Sequence, residues 1–152
     1  MDVAAAGAAA RPGLIATGPS AGTAVRRRAG RAWRLEPELH LGEQTVVPDL
    51  AGWRLERMPR LPETAYFALA PDWVCEVLSP STVQLDRAKK LRIYAEYGVR
   101  HAWLADPLAR TLEVLRLEGG HWRLVGTHAG TVTVHAEPFG AIELELGALW
   151  EA

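Results

Sequence analysis

The chain has 152 residues, of which 49% are hydrophobic and 23% charged, and its formal net charge at pH 7 is −1. This length suits one globular domain with a hydrophobic core, and the charge excludes a wholly basic nucleic-acid-binding protein while leaving room for a local basic groove. The single cysteine, Cys75, excludes an internal disulfide and a cysteine-based zinc site, and no apolar run reaches the length of a membrane span. We therefore expect a cytoplasmic protein that does not insert into a membrane.

The first 32 residues are rich in alanine and glycine, contain prolines and show no sustained apolar period. Such a composition is typical of disordered or irregular chain. Arg26, Arg27 and Arg28 follow the apolar stretch, whereas a signal peptide has its basic residues before it. We predict that residues 1–32 are disordered or irregular and that residues 33–152 form the folded domain.

The folded part is predicted to begin with a hairpin or strand pair. The runs WRLEPELHL (33–41) and QTVVPDLAGW (44–53) are separated by Gly42-Glu43, which predicts a turn between two strands. Asp49 would be directed from the second strand, in which Pro48 would occupy an edge or bulge position. Residues 54–72 contain several prolines and mixed charges, which predicts a connecting loop.

The central stretch predicts a strand, a helix and a second strand. Residues 73–78 are apolar on both faces except at Glu76, which is the pattern of a strand covered on both sides. Thr82 or Asp86 can cap a helix that ends at Gly98, and a strand follows at residues 101–105. We expect a right-handed βαβ unit. Further strands that extend or cap the sheet are predicted at residues 111–117, 121–126, 131–135 and 141–146, before a terminal helical turn.

An ionised Glu76 in a covered strand would lose several kcal/mol of hydration unless a cation or hydrogen-bond donors replaced the water. Lys90 falls in the helix sector that holds Ile93 and Tyr94, whereas Lys89 falls on the polar side. We therefore predict that Lys90 is directed towards Glu76 and that Tyr94 packs in the core beside it. The alternative is that both lysines are ordinary surface residues.

Asp49, Glu76 and Lys90 together form two carboxylates and an amine. Two carboxylates can hold one or two Mg²⁺ ions against a phosphodiester, while an ammonium group orients the attacking water or stabilises developing charge. Asp72 is a weaker partner for Glu76, because four residues of extended strand place their Cα atoms about 13 Å apart.

The same residues stand in a series of short motifs that resembles the Uma-two family of predicted restriction endonucleases, in the PD-(D/E)xK nuclease superfamily. The resemblance covers roughly residues 33–150. The motifs are Val47-Pro48-Asp49-Leu50, Glu76-Val77-Leu78-Ser79-Pro80-Ser81-Thr82, Lys90 with Tyr94-Ala95 and Gly98-Val99, and Trp103 with Asp106-Pro107.

The resemblance implies a restriction-endonuclease-like mixed α/β sheet with a βαβ core. It implies Asp49 and Glu76 as metal ligands and Lys90 as the catalytic lysine, moved to the helix because Leu78 stands two positions after Glu76. The ion would be Mg²⁺, with Mn²⁺ as a substitute, the partner DNA and the assembly a candidate homodimer. Family members usually begin with a helix and a hairpin with an Asp-Gly-Glu turn, which residues 1–32 do not show, so a truncated or degenerate N-terminal part is expected.

Two alternatives remain open at this point. The chain could be an inactive, truncated relative that acts as a DNA- or protein-binding module. It could also be a small α/β domain in which Glu76 and Lys90 form a structural ion pair.

Overall fold

The computed structural model describes residues 25–28, 31–60, 62, 64–79, 83–140 and 143–150. Eleven strands are assigned within these ranges: β1 (Val25–Arg28), β2 (Arg31–Leu35), β3 (Leu39–Leu41), β4 (Gln44–Val46), β5 (Leu50–Arg54), β6 (Trp73–Val77), β7 (His101–Asp106), β8 (Thr111–Glu118), β9 (His121–Ala129), β10 (Thr133–Val134) and β11 (Leu144–Glu145). Helix α1 spans Val83–Glu96, and a short 3-10 helix spans Leu146–Leu149.

Seven of these strands form a mixed sheet in the order β1-β2-β5-β6-β7-β8-β9. Strands β6 and β7 pair in parallel, and the other neighbours in this sheet pair antiparallel. Helix α1 connects the parallel pair and ends just before Gly98, whose φ of 77° provides the left-handed stop that the sequence predicted. The predicted βαβ core of a mixed sheet is thus confirmed.

The start of the fold differs from the sequence prediction. Strand β1 lies inside the segment 1–32 that we expected to be disordered or irregular, and it pairs with β2 as a hairpin. The expectation is therefore wrong for residues 25–28 and 31–32, and the front of the sheet does contain a hairpin. Residues 1–24 lie outside the described part of the chain, so truncation and the domain boundary stay predictions.

Each of the two strands predicted for residues 33–53 is divided in two. Strands β3 and β4 form a separate hairpin whose turn is the predicted Gly42-Glu43, while β2 and β5 pair within the main sheet. The second strand breaks at residues 47–49, where Pro48 has no N–H to donate to a ladder. Asp49 therefore lies immediately before β5, which corrects the prediction that it lies within a strand.

The sheet separates two clusters of buried residues. Val74 and Glu76 in β6 face the side of α1 and the β3–β4 hairpin, whereas Trp73 and Cys75 face the C-terminal segment. On that second side Trp73, Trp103 and Phe139 make edge-to-face contacts with centroid distances of 5.1 to 5.5 Å. Strands β10 and β11 form their own small sheet there, so they cap the main sheet and do not extend it.

Candidate active site

Three elements bring the predicted site residues together on the helix side of the sheet. Leu50 is paired with Cys75, so Asp49 and Glu76 meet where β5 begins and β6 approaches its end. The backbone N–H of Val77 donates to Asp49 Oδ2 at 2.6 Å. The ammonium of Lys90 in α1 lies 3.3 Å from Glu76 Oε2. All three residues that the sequence singled out therefore lie in one cluster.

Lys90 is held from two directions. Its Nζ donates to Glu76 Oε2 and, at 3.0 Å, to the backbone carbonyl of Val47. The Lys90 side chain is 21% exposed, while Lys89 is exposed. The prediction that Lys90 is directed inward and Lys89 outward is confirmed.

Tyr94 has a contact that the sequence analysis missed. Its side chain is fully buried, as predicted, but its hydroxyl also donates to Glu76 Oε1 at 2.6 Å. The available signal was its spacing, since Tyr94 lies one helical turn after Lys90 and shares its face. A buried tyrosine on an apolar face looks like core packing in sequence, because the pattern does not show where the hydroxyl finds its partner.

The electrostatics of the cluster are dominated by burial. Loss of hydration raises the pKa of Glu76 to about 7, against the opposing effects of the Lys90 charge and the Tyr94 hydroxyl, and the neighbouring Asp49 raises it further. Burial also raises the pKa of Asp49, although the N–H of Val77, the Lys90 charge and a hydrogen bond with Glu76 act in the other direction. Burial thus disfavours the ionised form of both carboxyl groups, despite the nearby Lys90 ammonium.

The donor set fits a hard divalent cation. Carboxylate oxygens are the ligands that Mg²⁺ prefers, and this ion usually binds through one or two carboxylates while water and substrate phosphate complete its shell. Within the described residues no group of three or more His, Cys, Asp or Glu could hold a metal ion. Asp49 and Glu76 would therefore hold a Mg²⁺ ion only together with water or phosphate oxygens.

Asp72 and Cys75 have structural roles. Asp72 accepts hydrogen bonds from the backbone N–H of Arg54 and from the Arg57 guanidinium, both at 2.8 Å, near the start of β6. Cys75 is buried on the opposite face from Glu76, and burial raises the pKa of its thiol well above the usual range. Asp72 thus anchors a loop, and Cys75 is part of the core.

Comparison with known proteins agrees with this fold. The model of the Uma2 (Uma-two) family, described as "Putative restriction endonuclease", matches residues 21–148, which is more than half of the chain. The chain belongs to the Uma2 family. The match includes Asp49, Glu76 and Lys90, and it begins earlier than the resemblance seen in the sequence. No curated protein matches the chain.

A solved structure shares the fold of this Uma2 chain. It is the crystal structure of "a putative nuclease belonging to DUF820" from Anabaena variabilis ATCC 29413, with 22% sequence identity and a TM-score of 0.66. The alignment covers 99% of this chain and 81% of that chain.

Among the helices described, none is long and apolar enough to cross a membrane.

Proposed function

We propose that this Uma2 chain is a Mg²⁺-dependent DNA endonuclease in which Asp49 and Glu76 hold the ion and Lys90 orients the attacking water. The observation that carries the proposal is the convergence of these three side chains, which come from positions far apart in the sequence. The descriptions of the family and of the Anabaena protein support nuclease chemistry. Mn²⁺, which has a similar preference for oxygen ligands, should substitute for Mg²⁺.

Each residue of the cluster has a role that follows from its contacts. When bound, a Mg²⁺ ion supplies a water of lowered pKa and neutralises charge on the phosphate. Asp49 and Glu76 supply negative oxygens, and the low exposure of Glu76 keeps bulk water from competing for them. Lys90 is fixed beside both carboxyl groups by Glu76 and the Val47 carbonyl, from where its ammonium can donate to a water or phosphate oxygen.

DNA is proposed as the substrate because of the family description and the basic residues near the site. Helix α1 carries Arg87, Lys89 and Arg92 in addition to Lys90, with no acidic residue between positions 87 and 92. Lys89 and Arg92 are exposed, so they can contact phosphates that flank the cleaved bond. We also propose a cytoplasmic location and a homodimer, in which two copies of the site would serve the two strands of a duplex.

The proposal is tested by plasmid nicking under single-turnover conditions at saturating protein. Wild type should nick with Mg²⁺ and not with EDTA, and Glu76→Ala and Lys90→Ala should each lose about a hundredfold or more in rate because they remove a metal ligand or the water-orienting group. Lys89→Ala is the matched control, since it deletes the same type of side chain one position away. Saturating protein compensates for a lost phosphate contact, so this variant should retain the rate within about threefold. Nicking in EDTA, or an unchanged rate in Glu76→Ala, would refute the proposal.

A second candidate function is favoured by the ion pair itself. Glu76 and Lys90 lie 3.3 Å apart with 8% and 21% of their side chains exposed, so they could serve only as a buried structural pair in a binding module. Under that function, wild type would bind DNA without nicking it in Mg²⁺ or Mn²⁺. Glu76→Ala would then change the stability of the fold and leave DNA binding unaltered.

A further inference from the structure

The buried hydroxyl of Tyr94 contacts Glu76, one of the two acids that would hold the metal ion under the proposed function. It is 2.6 Å from Glu76 Oε1, and both residues are buried, with 0% of Tyr94 and 6% of Glu76 exposed. Burial of a hydroxyl without a partner costs free energy, so a phenylalanine would serve better if packing were the only requirement at this position. The Tyr94 hydroxyl therefore has a role other than packing.

The contacts of Glu76 show what that role is. Tyr94 donates to Oε1, and Lys90, one helical turn earlier, donates to Oε2. Two neighbouring side chains of α1 thus hold the two oxygens of one carboxyl group and fix the orientation of its plane. Asp49 is fixed separately by the N–H of Val77. Each acidic group of the cluster has its own anchor, and for Glu76 that anchor includes a tyrosine.

We propose that Tyr94 is a positioning residue, whose hydroxyl holds the Glu76 carboxylate in the orientation that faces Asp49 and a divalent ion. This inference rests on the proposed function, because it gives the Glu76 carboxylate the task of binding a metal. Groups that hydrogen-bond to a metal ligand set its direction, and their removal typically costs on the order of 10–100-fold in metal affinity or activity. Tyr94 itself does not touch the ion or the substrate.

The test compares Tyr94→Phe with Tyr97→Phe. Both changes remove one hydroxyl from the same helix, but the hydroxyl of Tyr97 lies close to Gly42 in the β3–β4 turn. Binding of Mn²⁺ to the full chain without DNA is measured by isothermal titration calorimetry, together with the Mg²⁺ concentration that half-activates plasmid nicking. Circular dichroism first identifies a low temperature at which wild type and both variants are folded.

Tyr94→Phe should weaken Mn²⁺ binding and raise the half-activating Mg²⁺ concentration by about tenfold or more. Its KM for DNA should stay within about twofold of wild type, and Tyr97→Phe should behave as wild type in both assays. Unchanged ion affinity in Tyr94→Phe, or an equal loss in both variants, would overturn the inference. If wild type itself binds no divalent ion, the proposed function fails first, which separates the two failures.

Discussion

Glu76 is buried, an environment that disfavours an ionised carboxylate. It lies within a covered strand, and burial outweighs the two groups that favour its ionised form, the Lys90 ammonium and the Tyr94 hydroxyl. A divalent cation held between Glu76 and Asp49 would add the positive charge that the protein groups do not supply. The cost of burying this acid is thus understandable if the ion is part of the working site.

The raised pKa of Glu76 predicts a pH dependence of stability. The carboxyl has a pKa of about 7 in the folded chain and an ordinary value of 4.5, so between these pH values the folded state binds more protons than the unfolded state. The stability that this proton contributes is present in full below about pH 4.5 and is lost as the pH rises through about 7. The loss is on the order of 3 kcal/mol. Urea unfolding of metal-free protein at several pH values measures it.

Glu76→Gln should flatten this pH dependence, because its neutral amide has no proton to lose. Asp49, whose pKa is also raised, should leave a smaller slope of the same sign. Glu145→Gln is the control, since Glu145 is exposed and should leave the wild-type slope intact. A Glu76→Gln profile as steep as that of wild type would show that Glu76 is not the group responsible.

At the scale of elements, helix α1 combines two tasks. Its inner face carries Lys90 and Tyr94 to Glu76, and its outer face exposes Lys89 and Arg92. The helix that completes the site is therefore also the best candidate for contact with the DNA backbone.

The double variant Lys89→Ala/Arg92→Ala should weaken DNA binding. It should also reduce the slope of log affinity against log salt by up to about two, because DNA binding releases about one counterion fewer for each phosphate contact that is lost. Mn²⁺ affinity should not change. Fluorescence anisotropy with labelled duplex, in EDTA and at several NaCl concentrations, provides the measurement. Arg100→Ala is the control, since Arg100 is exposed at the start of β7, away from the acid pair. An equal loss in the control would argue against a specific role for the helix.

Some of these elements were predictable from the sequence and others were not. Strands β6 and β7 were predictable because their residues are almost uniformly apolar, and Gly98 marks the end of the helix between them. The division of residues 33–53 into four short strands was not predictable, since the pattern of apolar and polar residues does not show which of two sheets a strand joins. Pro48 indicated an edge or bulge position, but not that the chain changes sheets there.

The site was predictable to a similar degree. Lys90 could be assigned to the inner face of α1 because helical periodicity fixes its direction. The partner of the Tyr94 hydroxyl could not be found in this way, since it depends on how far the helix lies from β6. The contact between Lys90 and the Val47 carbonyl was equally hidden, because any residue type can supply a carbonyl.

At the scale of the whole molecule, the sheet keeps the site and the larger aromatic cluster on opposite faces. Phe139 contacts Trp73 and Trp103, and the Trp103 indole N–H donates to the Glu137 carbonyl at 2.6 Å, which ties the C-terminal segment to the sheet. The acid pair lies on the other face with α1. Stability and ion binding should therefore be separable by mutation.

Phe139→Ala should lower the free energy of unfolding by about 3–5 kcal/mol, because it removes a buried ring and leaves a cavity among the tryptophans. At a temperature where the variant is still folded, its Mn²⁺ affinity should remain within about twofold of wild type. Urea unfolding and calorimetry measure the two quantities. Leu108→Ala is the control, since 78% of Leu108 is exposed and its loss should cost little. A large loss of ion affinity in folded Phe139→Ala would contradict this separation.

The contact between Lys90 and the main chain at Val47 has a consequence for genetic experiments. Val47 is 42% exposed, and the atom that accepts the hydrogen bond from Lys90 is its carbonyl oxygen, which every amino acid provides. A saturation library scored for activity would then find position 47 tolerant of most replacements and rank it as unimportant.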